Sequence, residues 1–189
     1  MYKIATHDSA TGEQGKGFIS WVLTPFAKTQ SKTIKEQYDA GCRMFDIRIK
    51  KSSNEWHCAH GPWLSKRTLK SIIQEINAFP ERCYVSITYE GKVDNNEEII
   101  TVFNRMKLVY RRIIWGALSV KYGKDSTGIK VKYDIVVNPQ AKFEFGLQGF
   151  LPLDGRSWHT YLPIPWLWDR LYKRPHVFNE DTFTFVDFL

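Results

Sequence analysis

Strand-like and helix-like stretches alternate along the first two-thirds of this chain, and that order constrains the fold more than any other feature. Lys3–Thr6, Cys42–Ile49, Trp56–His60 and Cys83–Tyr89 read as strands, Ile129–Val137 is strand-like, and Thr182–Phe188 reads as a last strand. Thr33–Ala40, Lys66–Ala78 and Asn95–Arg112 read as helices between them. Leu69, Ile72, Ile73 and Ile76 recur at helical spacing, as do Ile99, Val102, Phe103, Met106 and Val109. Gly41 is placed to close the first helix and Ser65 to cap the second. Pro25 breaks or shortens any helix over Phe18–Ala27. Alternation of this kind implies a parallel sheet covered by helices. The fold expected first is a TIM-type (β/α) barrel in a single domain over residues 1–189. A full barrel typically takes about 250 residues, and this chain has 189, so the barrel is expected to be shortened or distorted.

Strand parity then sorts the polar residues. Alternate residues of a strand point to opposite faces. Lys3, Ala5 and His7 share a face of the first strand. On the second, Met44, Asp46 and Arg48 oppose Phe45, Ile47 and Ile49. Cys58 and His60 align on the third. Ser86, Thr88 and Glu90 oppose Val85, Ile87 and Tyr89 on the fourth, and Asp187 falls near the end of the last. Each of these strands carries a polar or ionisable residue towards its C-terminal end, where barrel active sites lie. Burying such groups together costs several kcal/mol unless they pair. Mutual pairing around a phosphate-sized gap accounts for them most economically.

Composition narrows the classes. The net charge of +7 suits an anionic partner, without locating a site. Cys42, Cys58 and Cys83 are too few and too scattered for a disulfide framework or a zinc site, and are expected to pack as reduced apolar side chains. No stretch approaches the roughly 20 apolar residues of a bilayer span, and MYKIATHDSA is not a signal peptide. The expected location is therefore cytoplasmic, or secreted with a signal removed. His57 falls on the face opposite His60, and His159 and His176 lie in loop-like stretches, so none of the three is a site candidate. Gly146–Pro165 reads as a long loop and Trp166–Tyr172 as a short helix. The aromatics Trp158, Tyr161, Trp166, Trp168 and Tyr172 suit a lid packed over the barrel better than a membrane-interface element.

ATHDS at Ala5–Ser9, QYDAGCRMFDIRI at Gln37–Ile49, and His60-Gly61 resemble, in order, the X-domain motifs of phosphatidylinositol-specific phospholipase C and its phosphodiesterase relatives, of the bacterial metal-independent type. VSITYEG at Val85–Gly91 sits where that family's fourth strand sits, and FVDF matches its last. The resemblance implies His7 as general base towards the inositol 2-hydroxyl and His60 as general acid towards the diacylglycerol leaving group. It implies Arg48 as the phosphate-binding arginine, Asp8 and Asp46 as the flanking acids, and Asp187 as the carboxylate orienting His7. A cyclic phosphodiester is the implied product, with no metal and no cofactor. Thr88 stands where the family often has Lys; Thr88 and Glu90, with Arg48, are the expected substrate-binding residues. The expected partners are a phospholipid or other phosphodiester and, peripherally, an anionic membrane. Nucleic acid is not expected, and the chain is expected to be a monomer. A metal-dependent glycerophosphodiester phosphodiesterase or sphingomyelinase D type is the alternative enzyme, and a degenerate barrel that binds anionic lipid is the non-enzymatic one.

Overall fold

The computed structural model describes residues 4–90, 96–124, 130–136, 143–148 and 183–186. In chain order the elements are β1 (Ile4–Thr6), α1 (Gly17–Ala27), α2 (Ile34–Asp39), β2 (Cys42–Ser52), β3 (Glu55–His60), β4 (Trp63–Thr68), α3 (Leu69–Ala78), β5 (Tyr84–Tyr89), α4 (Asn96–Val109), β6 (Ile114–Lys124), β7 (Lys130–Val136), β8 (Phe143–Gln148) and β9 (Phe183–Val186). A 3₁₀ turn over Ser9–Gly12 follows β1.

The sheet runs β7-β6-β5-β2-β1-β9-β8, with the β3–β4 hairpin leaving β2. The neighbours from β8 through β9, β1, β2 and β5 to β6 all pair in parallel, as the alternating sequence pattern requires. The fold is mixed α/β. Its path ends at β7 and β8, and among the described residues no pairing joins those two strands, so the shortened or distorted barrel expected is seen as a mixed α/β sheet that does not close. Two antiparallel strands interrupt the parallel order: β3 turns back along β2, off the main path, and β7 turns back along β6, where the path ends.

The apolar parity face is the core. Phe45, Ile47 and Ile49 of β2 and Val85, Ile87 and Tyr89 of β5 pack on Leu69, Ile72, Ile73 and Ile76 of α3 and on Ile99 and Phe103 of α4. On the other face Met44 packs with Ala5 and Tyr84. Burying each large aliphatic contributes about 1.5–3 kcal/mol, so this layer fixes the register of β2 on β5. All three cysteines are buried and free, as expected. Burial pushes the Cys42 thiol up to about 11 and the Cys83 thiol up to about 12, and raises that of Cys58.

Local expectations hold at α2, where Thr33 and Glu36 form a reciprocal capping box and Gly41 closes the helix with φ 99°. They fail in two places. Residues 63–68 form β4, and α3 starts at Thr68, whose hydroxyl accepts from Ser71 N; Ser65 caps nothing because it lies within that strand. Pro25 does not break α1, which runs unbroken over its 11 residues. Near the C-terminal end a proline removes only one ladder bond, and Lys28 N still donates to Thr24 O at 3.0 Å. Gly146–Pro165 is described only through Gln148, and the Trp166–Tyr172 helix and its aromatic neighbours lie outside the described residues. Among those described, no helix is long and apolar enough to cross a membrane.

Candidate active site

Three parallel neighbours deliver the charged residues to one end of the sheet. His7 and Asp8 follow directly on β1, β2 carries Asp46 and Arg48, and Glu90 follows directly on β5. The register sets Asp46 beside Ser86 and Arg48 beside Thr88. Glu90 N donates to Ile49 O at 2.8 Å, which continues the ladder to the rim. His60 arrives differently. Its strand is antiparallel to β2, and Gly61, at φ 59°, turns the chain beside it into a conformation that suits glycine.

Arg48 is the hub. Its Nε lies against Asp8 Oδ1. Its Nη1 donates to Glu90 Oε1 at 3.3 Å, and its Nη2 to His7 Nε2 at 2.5 Å. Asp46 Oδ2 is 3.9 Å from the guanidinium. Burial alone would lower the Arg48 pKa, but the charges of Asp8, Asp46 and Glu90 outweigh it and raise the value. Arginine only donates, so His7 Nε2 must be the unprotonated nitrogen when this contact is made. The remaining nitrogen, Nδ1, faces Asp8 Oδ2 at 3.6 Å.

Asp8 joins the two histidines. Its Oδ2 also lies 3.4 Å from His60 Nε2. The residue is 2% exposed and holds a left-handed backbone, φ 47° and ψ 45°. Such a conformation costs a non-glycine residue on the order of 1–3 kcal/mol and persists only where the surroundings enforce it. The other His60 nitrogen, Nδ1, donates to Ala27 O at 2.7 Å, at the end of α1. Both His60 nitrogens therefore face acceptors, whereas His7 faces a donor on one side and an acceptor on the other.

The structure thus gathers His7, Asp8, Asp46, Arg48, His60 and Glu90, and turns two expected substrate contacts inward. Thr88 is buried and donates to Asp46 Oδ1 at 3.5 Å. Glu90 is buried between Arg48 and Gly61 N, from which its Oε2 accepts at 2.5 Å. Asp187 lies outside the described residues. His57 is 2% exposed and meets Lys16 Nζ at 2.9 Å, away from the site. His7, Asp8 and Asp46 also present ligand atoms within 4.8 Å of one another, the one such group among the described residues, and Arg48 lies among them. Sequence reasoning missed the residues behind the site: Thr11, Ala27, Thr29 and Gln30. No motif or spacing ties residues 27–30 to His7.

A second feature borders the site. The helix α1 presents Phe18, Ile19 and Trp21 at 70% exposure or more, with Val22 and Phe26 also exposed. Phe18 stacks on Trp21 with centroids 5.8 Å apart.

Parallel strand ends thus bring two histidines, three carboxylates and one buried arginine to one end of a mixed α/β sheet. In sequence the chain resembles a bacterial phosphodiesterase. It is 36% identical over 75 residues to a 1-phosphatidylinositol phosphodiesterase of Listeria monocytogenes, a match that takes in 39% of this chain and 22% of that enzyme. Among solved structures, a double mutant of the phosphatidylinositol-specific phospholipase C from Staphylococcus aureus matches with a TM-score of 0.50 at 20% identity, over 77% of this chain and 59% of the other. The phosphatidylinositol-specific phospholipase C from Listeria monocytogenes gives a TM-score of 0.45 at 21% identity, over 69% and 46%. The Staphylococcus match shows a shared fold. The chain spans less than two thirds of the length of each of these relatives. No family model matches it.

Proposed function

We propose that this chain is a phosphodiesterase that cleaves phosphatidylinositol or a closely related phosphodiester by acid–base catalysis between His7 and His60. The observation that carries this reading is the unlike setting of the two histidines on one carboxylate, Asp8. With Nε2 unprotonated, His7 is set to accept a proton from the inositol 2-hydroxyl. The freed oxygen attacks phosphorus and the bond from phosphorus to the diacylglycerol oxygen breaks. His60, whose two nitrogens both face acceptors, is placed to give a proton to that leaving oxygen. The products are a cyclic inositol phosphate and diacylglycerol. The substrate supplies the nucleophile, so the protein needs none.

Arg48 holds His7 Nε2 in the structure described, and three carboxylates surround that single guanidinium. A phosphate entering the site competes for the guanidinium fork, which binds two oxygens well. Movement of Arg48 onto the phosphate then releases the base. A proton on His60 offsets the negative balance of the cluster. The carboxylate behind His7 is Asp8 in this reading, together with Asp187 as the family resemblance implies.

Lipid substrates lie in a surface, and α1 supplies a means to meet one. Exposed Phe, Ile and Trp on α1 suit the acyl–headgroup boundary, and the net charge of +7 favours an anionic leaflet.

The test is incubation with phosphatidylinositol vesicles, followed by ³¹P NMR with and without EDTA, beside His7→Ala. A cyclic phosphate signal that persists in EDTA and is lost in the variant supports the reading. Product that disappears with EDTA favours the metal-dependent alternative, in which His7, Asp8 and Asp46 are the ligands. No product under either condition overturns the assignment to phosphatidylinositol.

A further inference from the structure

The turn that carries Asp8 is held from outside, by the segment that follows α1. The carbonyl of His7 accepts from Gln30 Nε2 at 3.0 Å and from Thr29 Oγ1 at 3.3 Å. The carbonyl of Asp8 accepts from Thr11 Oγ1 and from Thr11 N, both at 2.9 Å. Thr11 Oγ1 in turn accepts from the backbone N–H groups of Thr29 and Gln30, each at 3.1 Å. The peptide planes on both sides of Asp8 are therefore pinned, the first by Thr29 and Gln30 directly, the second through Thr11. Two fixed planes fix φ and ψ of the residue between them, which is how a left-handed aspartate persists here. The same segment begins at Ala27, whose carbonyl accepts a hydrogen bond from His60 Nδ1. Ala27, Thr29 and Gln30, within four residues of one another, thus brace the base on one side and the acid on the other.

We infer that Gln30 is a positioning residue for the acid–base pair: by holding the His7 carbonyl it sets the Asp8 carboxylate between His7, His60 and Arg48. Gln30 is fully buried, so its amide has no competing water. The inference rests on the acid–base reading above, because the geometry that Gln30 maintains matters only if His7 and His60 exchange protons with a substrate. A small displacement of a reacting group costs on the order of 10²-fold in rate.

Two variants separate positioning from packing. Gln30→Met keeps the shape and removes the donor. Gln30→Glu keeps the shape and donates to the carbonyl only while its carboxyl is protonated. On phosphatidylinositol vesicles, Gln30→Met is expected to lower kcat on the order of 10²-fold at every pH, with KM little changed. Gln30→Glu is expected to approach wild-type kcat at low pH and to lose it as its carboxyl ionises, adding a pH limb that the wild type lacks. Imidazole ¹⁵N spectra give a readout independent of turnover. In folded Gln30→Met the His7 and His60 signals should move, and that of His57, remote from the segment, should not. Unmoved His7 and His60 signals, or losses of kcat that track thermal stability with an unchanged pH profile, overturn the inference. Wild-type protein without turnover, but with His7 and His60 signals displaced in Gln30→Met, counts against the acid–base reading and leaves the positioning intact.

Discussion

In the cluster around Arg48, charged groups are buried; in α1, which ends against that cluster, large apolar side chains stand in solvent. Asp8 is 2% and Glu90 4% exposed, whereas Phe18 is 76% and Trp21 70% exposed. Each region reverses the ordinary distribution of residue types. The helix α3 gives the usual pattern, with Leu69, Ile72, Ile73 and Ile76 all buried at helical spacing against β2 and β5. Folding explains α3 fully. It does not explain burying three carboxylates around one guanidinium, which costs several kcal/mol per ion before pairing. Nor does it explain an aromatic helix face that covers nothing among the described residues. The two departures meet at the Ala27–His60 hydrogen bond, so the exposed apolar helix and the buried charged cluster are joined directly.

Four measurements break or sharpen this contrast. The largest effect belongs to the cluster's chemistry. His60→Ala should lower kcat on phosphatidylinositol on the order of 10²–10⁴-fold, while its circular dichroism spectrum and thermal midpoint stay near wild type. A His60→Ala protein of undiminished turnover would end the acid role. Next comes the cluster's electrostatics. Arg48→Met strands Asp8, Asp46 and Glu90, and urea denaturation at neutral pH should show a loss of about 3–5 kcal/mol. Acid should restore part of it, because protonating the stranded carboxylates removes their repulsion; a loss that does not vary with pH would place the effect in packing instead.

The third measurement sets α3 against α1. Ile76→Ala should cost about 2–5 kcal/mol through the cavity it leaves, whereas Trp21→Ser should stay within about 0.5 kcal/mol. The same Trp21→Ser protein should bind anionic vesicles at least about tenfold more weakly, since seating a large side chain in lipid contributes about 1.5–3 kcal/mol. Vesicle sedimentation reads this directly, and unchanged binding would remove α1 from the membrane contact. The smallest effect is a null result in the core: with the Cys42 thiol pushed up to about 11 and the Cys83 thiol to about 12, iodoacetamide at pH 8 should label the native protein negligibly and the urea-unfolded protein at all three cysteines. The sign follows from the thiolate being the nucleophile, so a raised pKa slows reaction at any lower pH.

Much of the site was legible because short motifs tie residue type to strand position. Strand parity put Asp46 and Arg48 opposite Phe45 and Ile47, and the sheet keeps that division because a slip by one residue would bury the charges in the α3 layer. The same rule grouped Ser86, Thr88 and Glu90 on one face, yet it could not tell that Thr88 would be spent on Asp46 and Glu90 on Arg48 and Gly61. Parity gives the face of a side chain and says nothing of its partner. Pro25 misled in α1 because propensity is charged per bond, and near a helix end only one bond is lost.

The sequence by itself determined the alternation of elements, the apolar layer between sheet and helices, the reduced state suited to its cysteines, and the identity of the residues that carry charge to the end of the sheet. These are local properties, set by periodicity and by the chemistry of single side chains. Tertiary structure alone decided that β3 and β7 turn back antiparallel, that α1 keeps its apolar face exposed, and that Thr29 and Gln30 brace a turn more than twenty residues before them. Those outcomes depend on which groups distant in the chain compete for the same hydrogen bonds and the same apolar surface, and that competition exists only once the chain has folded.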